Sequence, residues 1–213
     1  MSTSLISPVD PISFVTRSTP FDSPEWLFEP LYDGHRALLH LDDGGCQILP
    51  AGERPIPGLA ELQHRLESVA PSVGEAAVLD GLVVALDRQG APIRGARPGE
   101  GFPAFAAFDL PWLETDQRSC PLARRRASLA ALLPRDTGPL FKIFALEEHG
   151  RALFAAARRM DLDGIVARRL SDPYGPESVW YIIRNPSAGQ GEAAPDPFAR
   201  REPSRRHRRV TAE

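Results

Sequence analysis

The chain has 213 residues, of which 42% are hydrophobic and 25% are charged, a composition typical of one soluble globular domain with or without tails. No stretch approaches the roughly 20 consecutive apolar residues that cross a bilayer. The first residues also lack the basic and apolar segments of a secretory signal, so we expect a cytoplasmic protein with no membrane partner. Cys46 and Cys120 form neither a metal-ligand pattern nor a disulfide framework, which fits a reducing compartment.

The distribution of basic residues limits the chemistry. Lys142 is the only lysine in the chain, so any reaction that requires a lysine must use Lys142. The formal net charge is −3, and residues 187–213 carry six arginines against four acids. The rest of the chain is therefore more acidic than the whole, which gives no support for a strong clamp on duplex DNA.

The first half of the chain predicts a short lead-in followed by mixed elements. Residues 1–24 are rich in Ser, Thr and Pro and are expected to form an extended lead-in. Residues 36–49 predict a hairpin with a Gly-rich turn, and apolar residues at helical spacing predict an amphipathic helix over 58–70. A β-branched strand is expected over 78–86, a Gly- and Pro-rich loop over 91–103 and a buried strand over 105–113.

The second half predicts helices over 121–133 and 147–160, followed by strands over 164–169 and 179–184. Residues 187–213 contain almost no large apolar side chains, so we predict a disordered, Arg-rich tail. Hairpins outnumber β-α-β units in this order. The sequence therefore predicts an α+β domain with two antiparallel sheets flanked by helices.

Six short segments stand out in chain order. They are 29–36 (Glu-Pro-Leu-Tyr-Asp-Gly-His-Arg), 78–86, Phe108-Asp109-Leu110, 121–126, 162–169 and 180–185 (Trp-Tyr-Ile-Ile-Arg-Asn). Together they resemble the signatures of ATP-dependent DNA ligases of the bacterial repair type, within their adenylation (nucleotidyltransferase) domain. The resemblance covers residues 25–186. The resemblance implies the fold of that domain without an oligonucleotide-binding (OB) domain, because about 27 residues after Pro186 are too few for a five-stranded barrel.

Three charged positions of these signatures are apolar in this chain. Leu31 stands where the family has the lysine that attacks ATP and carries AMP. Leu82 stands where the family has a glutamate, and Ile182 stands where the family has a lysine near the α-phosphate. Because leucine has no lone pair and no charge, it cannot attack phosphorus or stabilise phosphate oxygens, so we expect no catalytic residue at this site and a pseudoenzyme that does not seal nicks.

The resemblance assigns binding roles to five residues that remain. Glu29 would accept a hydrogen bond from the adenine amino group, and Phe108 would stack on the ring. Arg36 would reach the ribose or a phosphate. Asp163 is shorter than the family's glutamate, which displaces any Mg²⁺ contact, and Arg184 would keep a cation near the phosphates.

Three hypotheses about function therefore stay open. In the first, the chain binds adenine nucleotide, as ATP with or without Mg²⁺, but does not self-adenylate. In the second, it is a scaffold that holds DNA or a DNA-repair protein and has no nucleotide site. In the third, it is a nucleotidyltransferase with a substitute nucleophile, either Lys142 or a histidine. The histidines show no metal-ligand spacing, and no metal site is assigned.

Overall fold

The computed structural model describes residues 13–42, 45–52, 55–69, 76–97, 99–134 and 138–188. These residues form an α+β fold with two β-sheets, as the sequence predicts. The strands are β1 (Ser13–Thr16), β2 (Ser23–Pro30), β3 (His35–Asp42), β4 (Gly45–Pro50), β5 (Ala77–Leu86), β6 (Phe102–Leu113), β7 (Thr115–Asp116), β8 (Leu140–Lys142), β9 (Leu146–Glu148), β10 (Gly164–Arg169) and β11 (Val179–Arg184); the helices are α1 (Leu59–Glu67), α2 (Leu122–Leu132) and α3 (Gly150–Arg159).

The two sheets differ in size and are mostly antiparallel. The five-stranded sheet has the order β1-β11-β10-β2-β9, and the six-stranded sheet has the order β4-β3-β5-β6-β7 with β8 also paired to β6. Two pairings are parallel, β1 with β11 and β8 with β6. In both cases a short strand, β1 or β8, pairs with a longer one. All other pairings between the described strands are antiparallel, as the sequence predicts.

The sheets stack face to face between outer helices. On β6, Phe105 and Ala107 point to the core shared with α1 and α2, whereas Ala106 and Phe108 point to the core between the sheets. This alternation follows from the two-residue period of a strand. A third core lies under α3 on the outer face of the five-stranded sheet. Both faces of the central strands are therefore buried.

The folded region begins earlier than residue 25. Residues 13–16, within the predicted lead-in, form β1, and Phe14 packs edge-to-face on Trp180 with ring centroids 5.5 Å apart. The aromatic contact and four parallel partners on β11 fix this segment, which composition alone did not reveal. Residues 17–22 connect β1 to β2, and β2 begins at Ser23, still within the predicted lead-in. Residues 1–12 of the lead-in and nearly all of the predicted tail lie outside the described residues.

The third helix begins later than the sequence predicts. Residues 147 and 148 belong to β9, which pairs with β2 at the edge of the five-stranded sheet. Glu148 has a φ of 67°, which a helix does not accept, and α3 starts at Gly150 packed against Phe28. In the described part of the chain, no helix combines the length and apolar character that crossing a membrane requires.

Candidate nucleotide cleft

The three positions at which the ligase signatures are altered lie in one apolar cluster between the two sheets. Leu31 follows β2, Leu82 lies on β5 and Ile182 lies on β11, and each side chain is at most 3% exposed. The cluster also contains Val84, Ala104, Ala106, Phe108, Ile143, Val166, Tyr174 and Trp180. Leu31, Leu82 and Ile182 therefore belong to one hydrophobic core between the two sheets.

Little space remains in this cleft. Its cavity is about 10 Å³, which is room for about one water molecule. A purine ring does not fit there unless the surrounding side chains move. The walls are Glu29, Pro30, Leu31, Tyr32, Leu82, Phe108, Ile143, Val166 and Trp180.

Leu31 is fixed by the backbone around it. Its N–H donates to the carbonyl of Gly164 at 2.9 Å. Gly164 has a φ of +141°, and a Cβ there would collide with the carbonyl of Ile183. The glycine thus lets β10 and β11 pass close together at the point where Leu31 enters the core.

Glu29 is bound by arginines of the protein itself. Its Oε2 lies 2.6 Å from Nη2 of Arg168, and its Oε1 lies 3.0 Å from Nη1 of Arg126. The second contact lacks hydrogen-bond geometry. Oε1 is buried, and it accepts no hydrogen bond within the described residues. One oxygen facing the cleft therefore keeps a free acceptor, which is the feature that an adenine amino group would use.

Phe108 is packed into the same cluster. Its ring meets Trp180 edge-to-face, with centroids 5.4 Å apart. The guanidinium of Arg168 lies 5.3 Å from the centroid of Phe108 and 4.7 Å from that of Trp180. Both aromatic rings therefore already have partners within the protein, which serve as ordinary core contacts.

Arg36 pairs with Asp80. Its Nε and Nη2 donate to the two carboxylate oxygens at 3.1 and 2.6 Å. Tyr174 donates to the same carboxylate at 2.8 Å, and burial, followed by the charge of Asp80, raises the pKa of Tyr174 well above its usual value. Because Asp80 is fully buried, Arg36 is needed to neutralise it and is not available for a phosphate without breaking this pair.

Asp163 and Arg184 lie beside Gly164, whose carbonyl accepts the N–H of Leu31. Residue 184 is exposed and pairs in register with residue 164 across β10 and β11. Asp163 forms an ion pair with Arg94, whose Nε lies 2.7 Å from Oδ1. Burial raises the pKa of Asp163, while the charge of Arg94 opposes the shift. Across the described ranges, no three His, Cys, Asp or Glu side chains form a group that would hold a metal ion.

Lys142 lies on the other side of the six-stranded sheet. Its neighbours on β8 alternate: Leu140 faces the outer core and Phe141 faces the cleft. Lys142 Nζ donates to the carbonyl of Leu133, just after α2, at 2.8 Å. The only lysine is therefore turned away from the cleft and interacts with the end of a helix.

Sequence reasoning did not identify the charged residues that hold the sheets together. Asp109 is fully buried and receives hydrogen bonds from Arg125 and Arg168. One signal was present in the sequence: Asp80 and Asp109 each lie within an apolar strand. A buried carboxylate requires a cationic or hydrogen-bonding partner, so such a partner could have been expected for each. The sequence does not reveal which arginines meet that requirement.

Comparison with curated proteins finds relatives among bacterial end-joining proteins. The chain is 34% identical over 160 residues to the multifunctional non-homologous end joining protein LigD of Pseudomonas aeruginosa, covering 70% of this chain and 19% of that protein. It is 31% identical over 163 residues to LigD of Mycolicibacterium smegmatis, covering 73% of this chain and 20% of that protein. The chain thus spans about a fifth of the length of these relatives. No family model matches it.

Comparison with solved structures finds ligase domains. The ligase domain of Mycobacterium tuberculosis LigD superposes with a TM-score of 0.66 at 25% identity, over 81% of this chain and 60% of that one. A mycobacterial DNA ligase D complexed with ATP and MES gives a TM-score of 0.67 at 24% identity, over 83% of this chain and 60% of that one. The fold is that of ATP-dependent DNA ligase adenylation domains.

Proposed function

Because this chain is homologous to the ligase domain of bacterial LigD proteins, and thus belongs to the ATP-dependent DNA ligases through its adenylation domain, we propose that it is a non-catalytic member of that family. In this proposal it neither self-adenylates nor seals nicks, and it acts in DNA double-strand-break repair by binding a DNA-repair protein. The observation that carries the proposal is the packing of Leu31, Leu82 and Ile182 into one buried cluster.

The cluster affects both chemistry and binding. Without a nucleophile at residue 31, phosphoryl transfer to the protein has no attacking atom in the cleft. Without cations at residues 31 and 182, the phosphates of a nucleotide would lose charge-assisted partners worth roughly 1.5–3 kcal/mol each. The cavity of about 10 Å³ also leaves no room for adenine. These points favour the scaffold hypothesis over nucleotide binding.

One observation favours nucleotide binding as the second candidate function. The buried Oε1 of Glu29 accepts no hydrogen bond in the described part of the chain and borders the cavity. A buried acceptor of this kind has a cost of about 1–3 kcal/mol, which an adenine amino group would remove. For that to happen, side chains that line the cavity must move, because its volume is about 10 Å³.

Calorimetric titration with magnesium ATP, together with thermal unfolding, separates the two candidates. We expect no saturable heat and no rise in Tm up to millimolar ATP. Saturable binding that Phe108→Ala and Glu29→Gln both weaken would overturn the proposal in favour of the nucleotide-binding candidate. Glu29→Gln is preferred to Glu29→Ala because it keeps an acceptor beside the arginines.

The binding role needs its own test. Size-exclusion chromatography with light scattering would compare the chain alone, a complete LigD-type ligase alone, and their mixture. We expect a complex whose stability does not change when ATP is added. If the two proteins in the mixture elute separately and ligase activity is unaffected, the ligase is excluded as the partner. That result would argue against a role in assembly with the ligase.

A further inference from the structure

Residues 94–95 contact two carboxylates, those of Asp163 and Asp33. Arg94 Nε lies 2.7 Å from Oδ1 of Asp163, and the N–H of Gly95 donates to Oδ2 of Asp33 at 2.7 Å. Asp163 directly precedes β10 of the five-stranded sheet, whereas Asp33 lies in the connection from β2 to β3, two residues before the six-stranded sheet. Residues 94–95 follow β5 of the six-stranded sheet. The ion pair of Arg94 with Asp163 therefore joins a loop of the six-stranded sheet to the start of a strand in the five-stranded sheet.

The ion pair is partly shielded from water. The side chain of Asp163 is 13% exposed and that of Arg94 is 27% exposed. A guanidinium at this distance neutralises the carboxylate and occupies one of its oxygens. A divalent cation would have to displace Arg94 or share Asp163 with it, and repulsion between the two cations opposes sharing.

We propose that Arg94 takes the place of a divalent cation at Asp163, and that residues 94–95 are an internal strap that joins the connection between β5 and β6 to the start of β10. The residues here do not fit a metal site: Asp163 is paired with Arg94, and Asp33 accepts the N–H of Gly95. The carboxylate at residue 163 is therefore an anchor for the strap. This inference deepens the proposed function because it concerns the same cleft.

The test uses Mn²⁺ alone, without nucleotide, and follows two readouts. Electron paramagnetic resonance measures the concentration of free Mn²⁺, and thermal unfolding gives the Tm of the protein. The variants are Arg94→Ala, its control Arg88→Ala and the double variant Arg94→Ala with Asp163→Asn. Residue 88 is an exposed arginine on the same connection between β5 and β6.

We expect wild type to bind no Mn²⁺ in the millimolar range and to keep its Tm. Arg94→Ala should lower Tm by about 3–6 °C through the lost charge-assisted hydrogen bond, whereas Arg88→Ala should leave it unchanged. Millimolar Mn²⁺ should then restore part of the loss in Arg94→Ala and none in the double variant. That pattern would show that the guanidinium and the metal compete for one carboxylate.

Three results would overturn the inference. They are Mn²⁺ binding to wild type that Asp163→Asn abolishes, equal Tm values for Arg94→Ala and Arg88→Ala, and a fall in Tm for Arg94→Ala that Mn²⁺ does not reduce. All three are measured without ATP. A finding that the protein binds ATP in the cleft would therefore overturn the proposed function without deciding this test.

Discussion

Arg168 of β10 and Asp109 of β6 form an ion pair across the two sheets, with Nη1 3.1 Å from Oδ2 and both side chains about 1% exposed. The same guanidinium lies 2.6 Å from Glu29 on β2. Burial alone would raise the pKa of Asp109, but Arg125 and Arg168 hold it below its usual value. The carboxylate is therefore charged at neutral pH. Arg168 contacts both buried acids, Asp109 together with Arg125 and Glu29 together with Arg126.

Arg168→Ala should be strongly destabilising, because it leaves two buried carboxylates with fewer partners. We expect the free energy of unfolding to fall by about 3–5 kcal/mol, measured by urea denaturation. Arg169→Ala is the matched control, since that residue is adjacent, about half exposed, and 3.8 Å from an exposed Glu25. It should change stability by no more than about 1 kcal/mol, since its guanidinium also lies 5.2 Å from the ring centroid of Trp26. Equal effects of the two variants would contradict the assignment.

This pair of arginines illustrates what the sequence could and could not predict. The strands over 164–169 and 179–184 were predicted with the bounds that the structure has, because their apolar runs and flanking residues are clear. Alternation along a strand separates inside from outside only when one face meets water. Since β10 is buried on both faces except at its end, the pattern did not distinguish Arg168 from Arg169.

The altered cleft was predicted only in part. The resemblance identified residues 31, 82 and 182 as replaced, but it did not indicate that they would pack together and fill the space. The pairing of Arg94 with Asp163 joins positions far apart in sequence through a Gly-rich loop, whose conformation has no periodic signal. Residues 29, 36 and 163 were expected to contact a ligand, whereas in the structure each is paired with a charged residue of the chain.

Leu31→Lys should not restore self-adenylation. Its ammonium would enter a cluster formed by residues such as Leu82, Ile182 and Val166, where the glutamate and the second cation of the family's signatures are missing. An unpaired buried charge should lower the free energy of unfolding by several kcal/mol, about 3 or more. The measurements are urea denaturation and incubation with ATP labelled at the α-phosphate.

Leu31→Met is the control for this substitution, because it keeps the volume and the apolar character of the side chain. It should cost less than about 1.5 kcal/mol and should likewise take up no label. Stable labelling of Leu31→Lys with AMP, followed by nick sealing, would show that the cleft still forms an active site and would refute the proposed function.

Tyr174→Phe tests the buried hydrogen bond to Asp80 through its dependence on pH. The pKa of Tyr174 is raised in the folded state by burial and by the charge of Asp80. A tyrosine in the unfolded chain has a pKa of about 10. The stability that this group contributes is therefore fully present below about pH 10 and is lost as pH rises toward the folded pKa. Wild type should therefore lose unfolding free energy as the pH rises above about 10.

The phenylalanine variant should be less stable at pH 7 by about 0.5–1.5 kcal/mol because the hydrogen bond is lost. Above about pH 10 its unfolding free energy should decline less than that of wild type, so the two curves should converge. Urea denaturation at a series of pH values gives both curves. Parallel curves would mean that Tyr174 ionises alike in the folded and unfolded states.

Lys142→Ala distinguishes a structural lysine from a substitute nucleophile. The side chain donates to the carbonyl of Leu133 at 2.8 Å, a favourable place for a cation at the end of α2. Its removal should reduce the free energy of unfolding by about 1 kcal/mol, and Lys142→Arg should recover most of that loss. With ATP labelled at the α-phosphate, we expect no label to survive denaturation in wild type or in either variant. Label on wild type that Lys142→Ala lacks would identify this lysine as a nucleophile, and label that persists in Lys142→Ala would direct the search to the histidines.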